Sequence, residues 1–283
     1  MATGKISTVK DLTVLITGGA MGMGKLYAQY AAAEGARAIV LWDVNKPVLE
    51  ATVKELSVEG ARAYGAVVDL TDVDAIEKAA SEFLAAYGAP DVVILNAGVV
   101  KAGYFWEHDS RRDSIVTMQV NALAPMHVAH EFIPAMIRDS GRPKRIVTVA
   151  SAAGLIANPK MSVYVASKFA AVGWSESLRL EFVKAGHDHV KVTTVCPSYV
   201  ATDMFKGAKG MPLVPILTPE KITTDAWNAM KNGDAIVVRP RTVSLAYAAR
   251  AILPTSVFDF VATHLFHLYN TMDDFVGHGK KHA

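Results

Sequence analysis

Short apolar runs alternate with longer stretches of helical period along most of this chain. Residues 12–17 (LTVLIT) are almost wholly apolar and end at a glycine cluster, and residues 38–42 (AIVLW) end at Asp43. Residues 63–68, 92–95, 145–149 and 190–195 have the same character, and 235–238 is a seventh candidate. Runs of this length, bounded by turn residues, read as strands buried on both faces, as in a parallel sheet. Between them, helical segments are predicted at 24–34, stopped by Gly35, at 47–60, at 72–87, closed by Gly88, at 114–137 and at 164–185. Repeated strand-helix-strand units require right-handed crossovers and place helices on both faces of the sheet. The expected fold is α/β and doubly wound, with its ligand crevice beyond the carboxyl ends of the strands. Residues 1–245 read as one domain, including a substrate loop at 199–225, and residues 246–283 as an apolar helical extension.

The first glycine cluster, Thr17-Gly18-Gly19-Ala20-Met21-Gly22-Met23-Gly24, lies between the first strand and the first helix. Gly18 suits the tight turn because it lacks a Cβ. Gly22 lets the backbone approach a pyrophosphate, and Gly24 lets the helix pack close to the strand. The helix N-terminus then offers free N–H groups and the positive end of its dipole to an anion. A ligand-free glycine turn is the plainer reading, but the position directly after the first strand favours nucleotide binding. Asp43 ends the second strand 25 residues after Gly18, near the ~20-residue spacing at which a carboxylate meets the adenosine ribose. A carboxylate there repels a 2′-phosphate, which favours NAD over NADP, with Lys25 and Lys46 as the opposing cations. The plainer alternative is a helix cap or turn residue. Asp69, at the end of the third strand, is placed to accept the adenine amino group or to cap the next helix, a role for which Thr71 competes.

Tyr164 and Lys168 stand four residues apart, so on a helix they share a face. An ammonium beside a phenol favours the phenolate. Lowering a tyrosine by three units takes roughly 4 kcal/mol, for which a lysine alone falls short and the positive ring of an oxidised nicotinamide adds its share. Taken alone, Tyr-x-x-x-Lys is usually an exposed helix pair, and its meaning comes from its surroundings. Ser151 follows the fifth strand, where its hydroxyl can donate to and accept from a substrate oxygen, or simply end the strand. Asn121 sits inside a predicted helix, a mildly unfavourable place for it. Its side chain either bonds its own helix or holds a water that relays protons to Lys168.

These motifs occur in the order and spacing of the short-chain dehydrogenase/reductase family, which residues 10–205 resemble: Thr17-Gly18-x-x-x-Gly22-x-Gly24, Asn96-Ala97-Gly98, Asn121, Ser151 and Tyr164-x-x-x-Lys168. The resemblance implies a Rossmann fold with a sheet of seven strands and an Asn-Ser-Tyr-Lys tetrad. Tyr164 is then the general acid/base, Ser151 orients and polarises the substrate oxygen, Lys168 binds the nicotinamide ribose, and Asn121 holds the relay water. It also implies that NAD lies against Gly18, Met21, Gly22, Met23, Gly24, Asp43, Asp69, Leu70, Asn96, Ala97, Gly98, Tyr164, Lys168, Pro197, Val200 and Thr202. The chain departs from the family where Pro197-Ser198 replaces the usual Pro-Gly. Substrate is expected against Ser151, Tyr164, Met204 and Phe205, and the apolar residues of the following loop, Met211 and Leu213 among them, suggest an apolar alcohol or ketone. The implied function is an NAD(H)-dependent oxidoreductase of a hydrophobic secondary alcohol such as a steroid or retinoid, in a homodimer or homotetramer. A catalytically silent NAD-binding regulator on the same fold is the alternative, and the intact tetrad argues against it. Sugar-nucleotide epimerases also carry Tyr-x-x-x-Lys, but with different glycine spacing and a larger C-terminal domain.

Composition narrows the field further. Hydrophobic residues make up 51% and charged residues 20%, enough for a full core and against global disorder. Lys and Arg number 29 against 27 Asp and Glu, a net charge of +2, too even for a nucleic-acid footprint. The single cysteine, Cys196, excludes an internal disulfide and a Cys-rich zinc site. His264, His267, His278 and His282 lack supporting ligand spacing, so no metal is expected. The polar first ten residues lack the apolar core of a signal peptide, and no run of 18 apolar residues predicts a spanning helix. The expected location is cytoplasmic, with the apolar C-terminal segment covering the substrate cleft, joining subunits, or lying peripherally against lipid.

Overall fold

The computed structural model describes residues 4–205, 207, 210 and 214–275. Met211, Leu213, His278 and His282 lie outside the described residues. The strands are β1 (Thr13–Thr17), β2 (Ala38–Asp43), β3 (Ala63–Val67), β4 (Val92–Leu95), β5 (Lys144–Val149), β6 (Val190–Pro197) and β7 (Ile236–Arg239). They form one sheet in the order β3-β2-β1-β4-β5-β6-β7, with every neighbouring pair parallel. The chain steps outward from β1 to β3, crosses back to place β4 beside β1, and steps outward the other way. That reversal between β1 and β4 is the switch point at which such sheets hold their ligands.

The described residues hold eight helices of ten or more residues: α1 (Gly22–Ala33), α2 (Lys46–Val58), α3 (Val73–Tyr87), α4 (Ala124–Arg138), α5 (Ser162–Lys184), α6 (Pro219–Asn232), α7 (Thr242–Ile252) and α8 (Thr255–His264). Alternation along β1 sends Val14 and Ile16 into one core and Leu15 into the other, as a period of two requires. The first core joins Leu49, Ile222 and Trp227 under α1, α2 and α6. The second stacks Phe132 against Trp42 and Phe83, with ring centroids 5.8 and 5.1 Å apart, under α3, α4 and α5. β3 departs from the doubly buried expectation: it is an edge strand, so Tyr64 and Val67 remain exposed.

Two further expectations are corrected. The helix predicted over 114–137 is an interrupted helical run from residue 110 to 138, with wider π turns at Ser110–Ile115 and Gln119–Leu123 ahead of α4. Pro125 stands four residues beyond Asn121 and has no N–H to give to the Asn121 carbonyl, so the α-helical bond there cannot form. The cap of α3 is neither Asp69 nor Thr71 but Asp72, whose Oδ1 accepts the N–H groups of Asp74 and Ala75 at 3.0 and 3.3 Å.

The C-terminal segment is helical through α7 and α8 and docks on the body of the fold. Val243, Phe258 and Ala262 join Leu155, Ile156, Ala171 and Cys196 in a third cluster. Residue 245 falls inside α7. Among the described residues, no helix is long and apolar enough to cross a membrane.

Candidate active site

The carboxyl ends of β1 and β4 build a cradle at the switch point. α1 begins at Gly22 without a side-chain cap, leaving its first N–H groups free for an anion. Gly22 holds φ +55°, and a Cβ placed there would project into open space, whereas a Cβ on Gly24 would sit 2.0 Å from the Gly18 carbonyl oxygen. Close approach therefore demands glycine at 24, and the loop stays open on its outer side. Asn96 stitches the two strand ends together. Its Nδ2 donates to the carbonyls of Thr17 and Gly18 at 3.1 and 3.0 Å, and its N–H and that of Ala97 reach the Thr17 hydroxyl at 3.0 and 3.2 Å. Sequence spacing places Asn96 here but does not show this bridging role.

Asp43 tightens the same loop, its Oδ2 accepting the Ala20 N–H at 3.1 Å and its Oδ1 the Asn45 N–H at 2.9 Å. It is thus a turn residue, and each oxygen keeps a further lone pair. The two opposing cations are engaged elsewhere: Lys25 pairs with Glu55 at 2.7 Å and Lys46 with Glu50 at 3.8 Å. Asp69 accepts the Thr71 N–H and hydroxyl at 2.9 and 2.7 Å on one oxygen. Leu70 packs at the margin of the second core. On the far side, the Thr202 N–H returns to the Val200 carbonyl at 2.7 Å, and Val200 bridges to Leu217. The open glycine cradle, the uncapped helix and the acidic end of β2 fit a dinucleotide.

Asn121, Ser151, Tyr164 and Lys168 are all buried and converge beside this cradle. Tyr164 and Lys168 lie on one face of α5. The Lys168 Nζ donates to the Val149 carbonyl at 3.0 Å and stands 5.8 Å from the Tyr164 ring centroid. Ser151 starts the short turn Ala152–Gly154, its Oγ accepting the Ala153 N–H at 3.1 Å and donating to the Pro197 carbonyl at 3.5 Å, and it lines the same cavity as Tyr164. Gly98 closes the group, since a Cβ there would lie 3.4 Å from Asn121 Oδ1 and 3.6 Å from Lys168 Nζ. The Asn121 side chain is largely committed: Oδ1 accepts the Val99 N–H at 2.8 Å, while Nδ2 donates to the Val99 carbonyl at 2.8 Å and the Ser167 hydroxyl at 3.1 Å. Ser167, missed in the sequence, passes this on to the Tyr164 carbonyl at 2.7 Å and ties the π turn to α5.

Burial dominates the electrostatics of the site. Burial raises the Tyr164 phenol well above its ordinary value. The same burial lowers Lys168 to about 8 and pushes the neighbouring Cys196 thiol up to about 12, which leaves that thiol unreactive.

From Ser151 and Tyr164 a cavity of about 310 Å³ opens towards the C-terminal helices. Its walls are Ile156, Met161, Phe205 and Val214 on one side and Val243, Leu245, Ala246, Ala249, Leu253, Phe258, Val261, Ala262, Phe266 and Leu268 on the other. Phe205 meets Tyr164 edge-on at 6.2 Å between centroids. Met204 packs in the cluster beneath Tyr164, not on the cavity wall. The lining by α7 and α8 places the C-terminal segment over the cleft, one of the positions its apolar pattern left open. Among the described residues, no three His, Cys, Asp or Glu side chains come together as a metal site.

The model of the family described as short chain dehydrogenase matches residues 12–211. The chain belongs to this family. It is therefore an oxidoreductase acting on CH–OH groups and using a nicotinamide cofactor. It is 34% identical over 242 residues to estradiol 17-beta-dehydrogenase 11 of Macaca fascicularis, covering 85% of this chain and 79% of that one. It is 32% identical over 272 residues to epidermal retinol dehydrogenase 2 of Mus musculus, covering 95% and 86%. Among solved structures, a short-chain dehydrogenase/reductase from Burkholderia phymatum in complex with NAD superposes with TM-score 0.77 at 24% identity, covering 87% of this chain and 95% of that one. That likeness speaks to the fold.

Proposed function

We propose that this short-chain dehydrogenase interconverts a hydrophobic secondary alcohol and its ketone with NAD(H), and that Tyr164 moves the proton. The observation that carries this reading is that the buried Ser151 and Tyr164 both line one largely apolar cavity, with Lys168 one turn along the same helix as Tyr164. When bound, the nicotinamide supplies the hydride in reduction and takes it in oxidation. Ser151 holds the substrate oxygen and polarises it. In reduction the Tyr164 phenol, kept protonated by burial, gives its proton to that oxygen, and in oxidation the proton returns. With a value of about 8, Lys168 is largely charged at neutral pH and stabilises the phenolate left behind. The Asn121 carbonyl, which lacks its α-helical donor, and the spare lone pair of its Oδ1 are the acceptors available for a relay water.

The free carboxylate lone pairs of Asp43, with Lys25 and Lys46 drawn into other ion pairs, support NAD over NADP. The names of the relatives support steroid or retinoid alcohols as the substrate class, in keeping with the apolar walls. On the outer face of α5, Phe169, Leu180 and Val183 recur at helical spacing and stay exposed, a surface suited to pairing with a second copy. Leu245, Ile252, Phe260 and Leu265 expose a second apolar face on and just beyond α7 and α8, suited to peripheral lipid contact near the cavity that receives an apolar substrate. Cofactor fluorescence against a panel of steroids, retinoids and medium-chain alcohols and ketones tests the reading. Tyr164→Phe is expected to abolish turnover while NADH still binds, and turnover by that variant would remove Tyr164 from the mechanism.

A further inference from the structure

The C-terminal segment reaches back to the cavity wall through a hydroxyl that the proposed mechanism does not use. Thr271 is buried and meets two other segments, at Asn158 ahead of α5 and at Tyr199 just past β6. Asn158 Nδ2 donates to the Tyr199 hydroxyl at 2.7 Å and to the Thr271 hydroxyl at 2.9 Å, and these two hydroxyls are 2.9 Å apart. Thr271 gives its own proton to the Leu268 carbonyl at 2.9 Å. A hydroxyl has one proton, so Thr271 accepts from Tyr199, and Tyr199 accepts from Asn158. The Tyr199 ring, tethered at its tip, meets Phe205 edge-on with centroids 5.6 Å apart. Phe205 in turn meets Tyr164 edge-on at 6.2 Å and lines the cavity beside it. The residues that follow Thr271 hold the segment down: Met272 is buried in the cluster that includes Tyr164, and Asp273 pairs with the Lys160 ammonium at 2.7 Å.

We propose that Thr271 is a positioning residue for the reaction: it clasps Tyr199 so that Phe205 stands against Tyr164 and closes that end of the substrate cavity. Resting on the oxidoreductase reading above, this role adds a residue of the C-terminal segment to the site. Aromatic rings pair edge-on with centroids about 4.5–7 Å apart, so a Tyr199 ring that swings off its tether draws Phe205 with it or leaves it unsupported. The Thr271 hydroxyl is the acceptor that takes the Tyr199 proton. Without it that phenol is a buried donor in need of a new partner, which only a move of the ring supplies. A cluster that merely joined the segment to the body of the fold would lower stability when broken and leave substrate affinity unchanged.

The test sets Thr271→Val, which keeps the shape and removes the hydroxyl, against Thr271→Ser, which keeps the hydroxyl, in the full-length protein. One measurement is KM for a tetracyclic ketone at saturating NADH. The other, made without ketone, is the rate at which tetranitromethane nitrates Tyr164, read by peptide mass spectrometry. In Thr271→Val, KM is expected to rise about tenfold and Tyr164 nitration by at least about fivefold, with the NADH dissociation constant within about twofold of the wild type. Thr271→Ser should match the wild type in both. Because Thr271 acts through Phe205, adding Thr271→Val to Phe205→Ala should raise neither quantity further. Tyr199→Phe removes the other hydroxyl of the clasp and should reproduce the valine result if that variant does not fold. An unchanged KM or nitration rate in Thr271→Val, a serine variant as impaired as the valine one, or a full effect of valine in the Phe205→Ala background overturns the assignment. If the wild type turns over no ketone yet the nitration pattern holds, the clasp stands and the oxidoreductase reading is what fails.

Discussion

Gly154→Ala probes the positioning of Ser151 through a contact that no motif shows. A Cβ at residue 154 would lie 2.6 Å from the Lys168 carbonyl oxygen, 2.9 Å from its carbonyl carbon and 2.8 Å from Val172 Cγ2. Ordinary contact begins at 3.4 Å, so the turn and α5 must part by about 0.8 Å. Both are backbone, and α5 is held by its own hydrogen bonds, so the turn that starts at Ser151 takes the displacement. Overpacking of this kind costs about 1–3 kcal/mol. A shift approaching 1 Å at a reacting group costs on the order of a hundredfold in rate. Urea unfolding and kcat with a hydrophobic ketone measure the two effects. Gly173→Ala is the control: it is on the same helix with nothing within 4 Å of its added Cβ, so alanine there should stabilise by about 0.5–1 kcal/mol. An alanine at 154 that leaves stability within about 0.5 kcal/mol of the wild type and kcat intact would refute the steric reasoning.

Asp43→Ala should lose its discrimination against NADP, measured as the ratio of kcat/KM for the two cofactors, and a wild type that already prefers NADP would show that this carboxylate only shapes the loop. Asp91→Ala strips the buried Lys144 ammonium of a partner at 2.9 Å, at the end of the sheet away from the cradle. Asp139 remains beside that ammonium, so a loss near the lower end of the 3–5 kcal/mol range for broken buried pairs is expected in urea unfolding, and a loss under about 1 kcal/mol would count against it. Lys168 gives a pH signature, because burial lowers it from 10.5 to about 8. Between those values the unfolded chain binds a proton that the folded chain does not, so stability rises with pH by up to about 1.4 kcal/mol per unit. Measured against Lys168→Met, the wild type should be weakest below pH 8 and gain through pH 9.5, and a difference that stays flat would show that the amine is not desolvated.

What the residues disclosed, and what they withheld, follows from how local each feature is. Tyr164, Lys168 and the glycine cluster were legible because one helix turn and one strand-to-helix turn hold each set together, so spacing alone reports their geometry. Strand and helix positions were legible within a few residues for the same reason, and the exception is instructive. The run around Asn121 has helical period throughout, and what breaks it is a missing N–H at Pro125, a donor count that hydrophobic periodicity does not register. A hydrogen-bonded cluster joins Asn158, Tyr199 and Thr271 from three segments far apart in the chain, and the pairing of Gly154 with the Lys168 backbone depends on how closely two elements approach. Neither leaves a pattern in the chain. The direction of the Tyr164 shift is of this kind too. The amine four residues away argues for a lowered value, but burial decides the sign, and depth of burial is set by α5, β5 and the cluster of Val100, Met161 and Met272 together. The phenol is thus held as a proton donor by the same apolar walls that select the substrate, so substitutions that let water into the cavity should lower the Tyr164 value and weaken substrate binding at once.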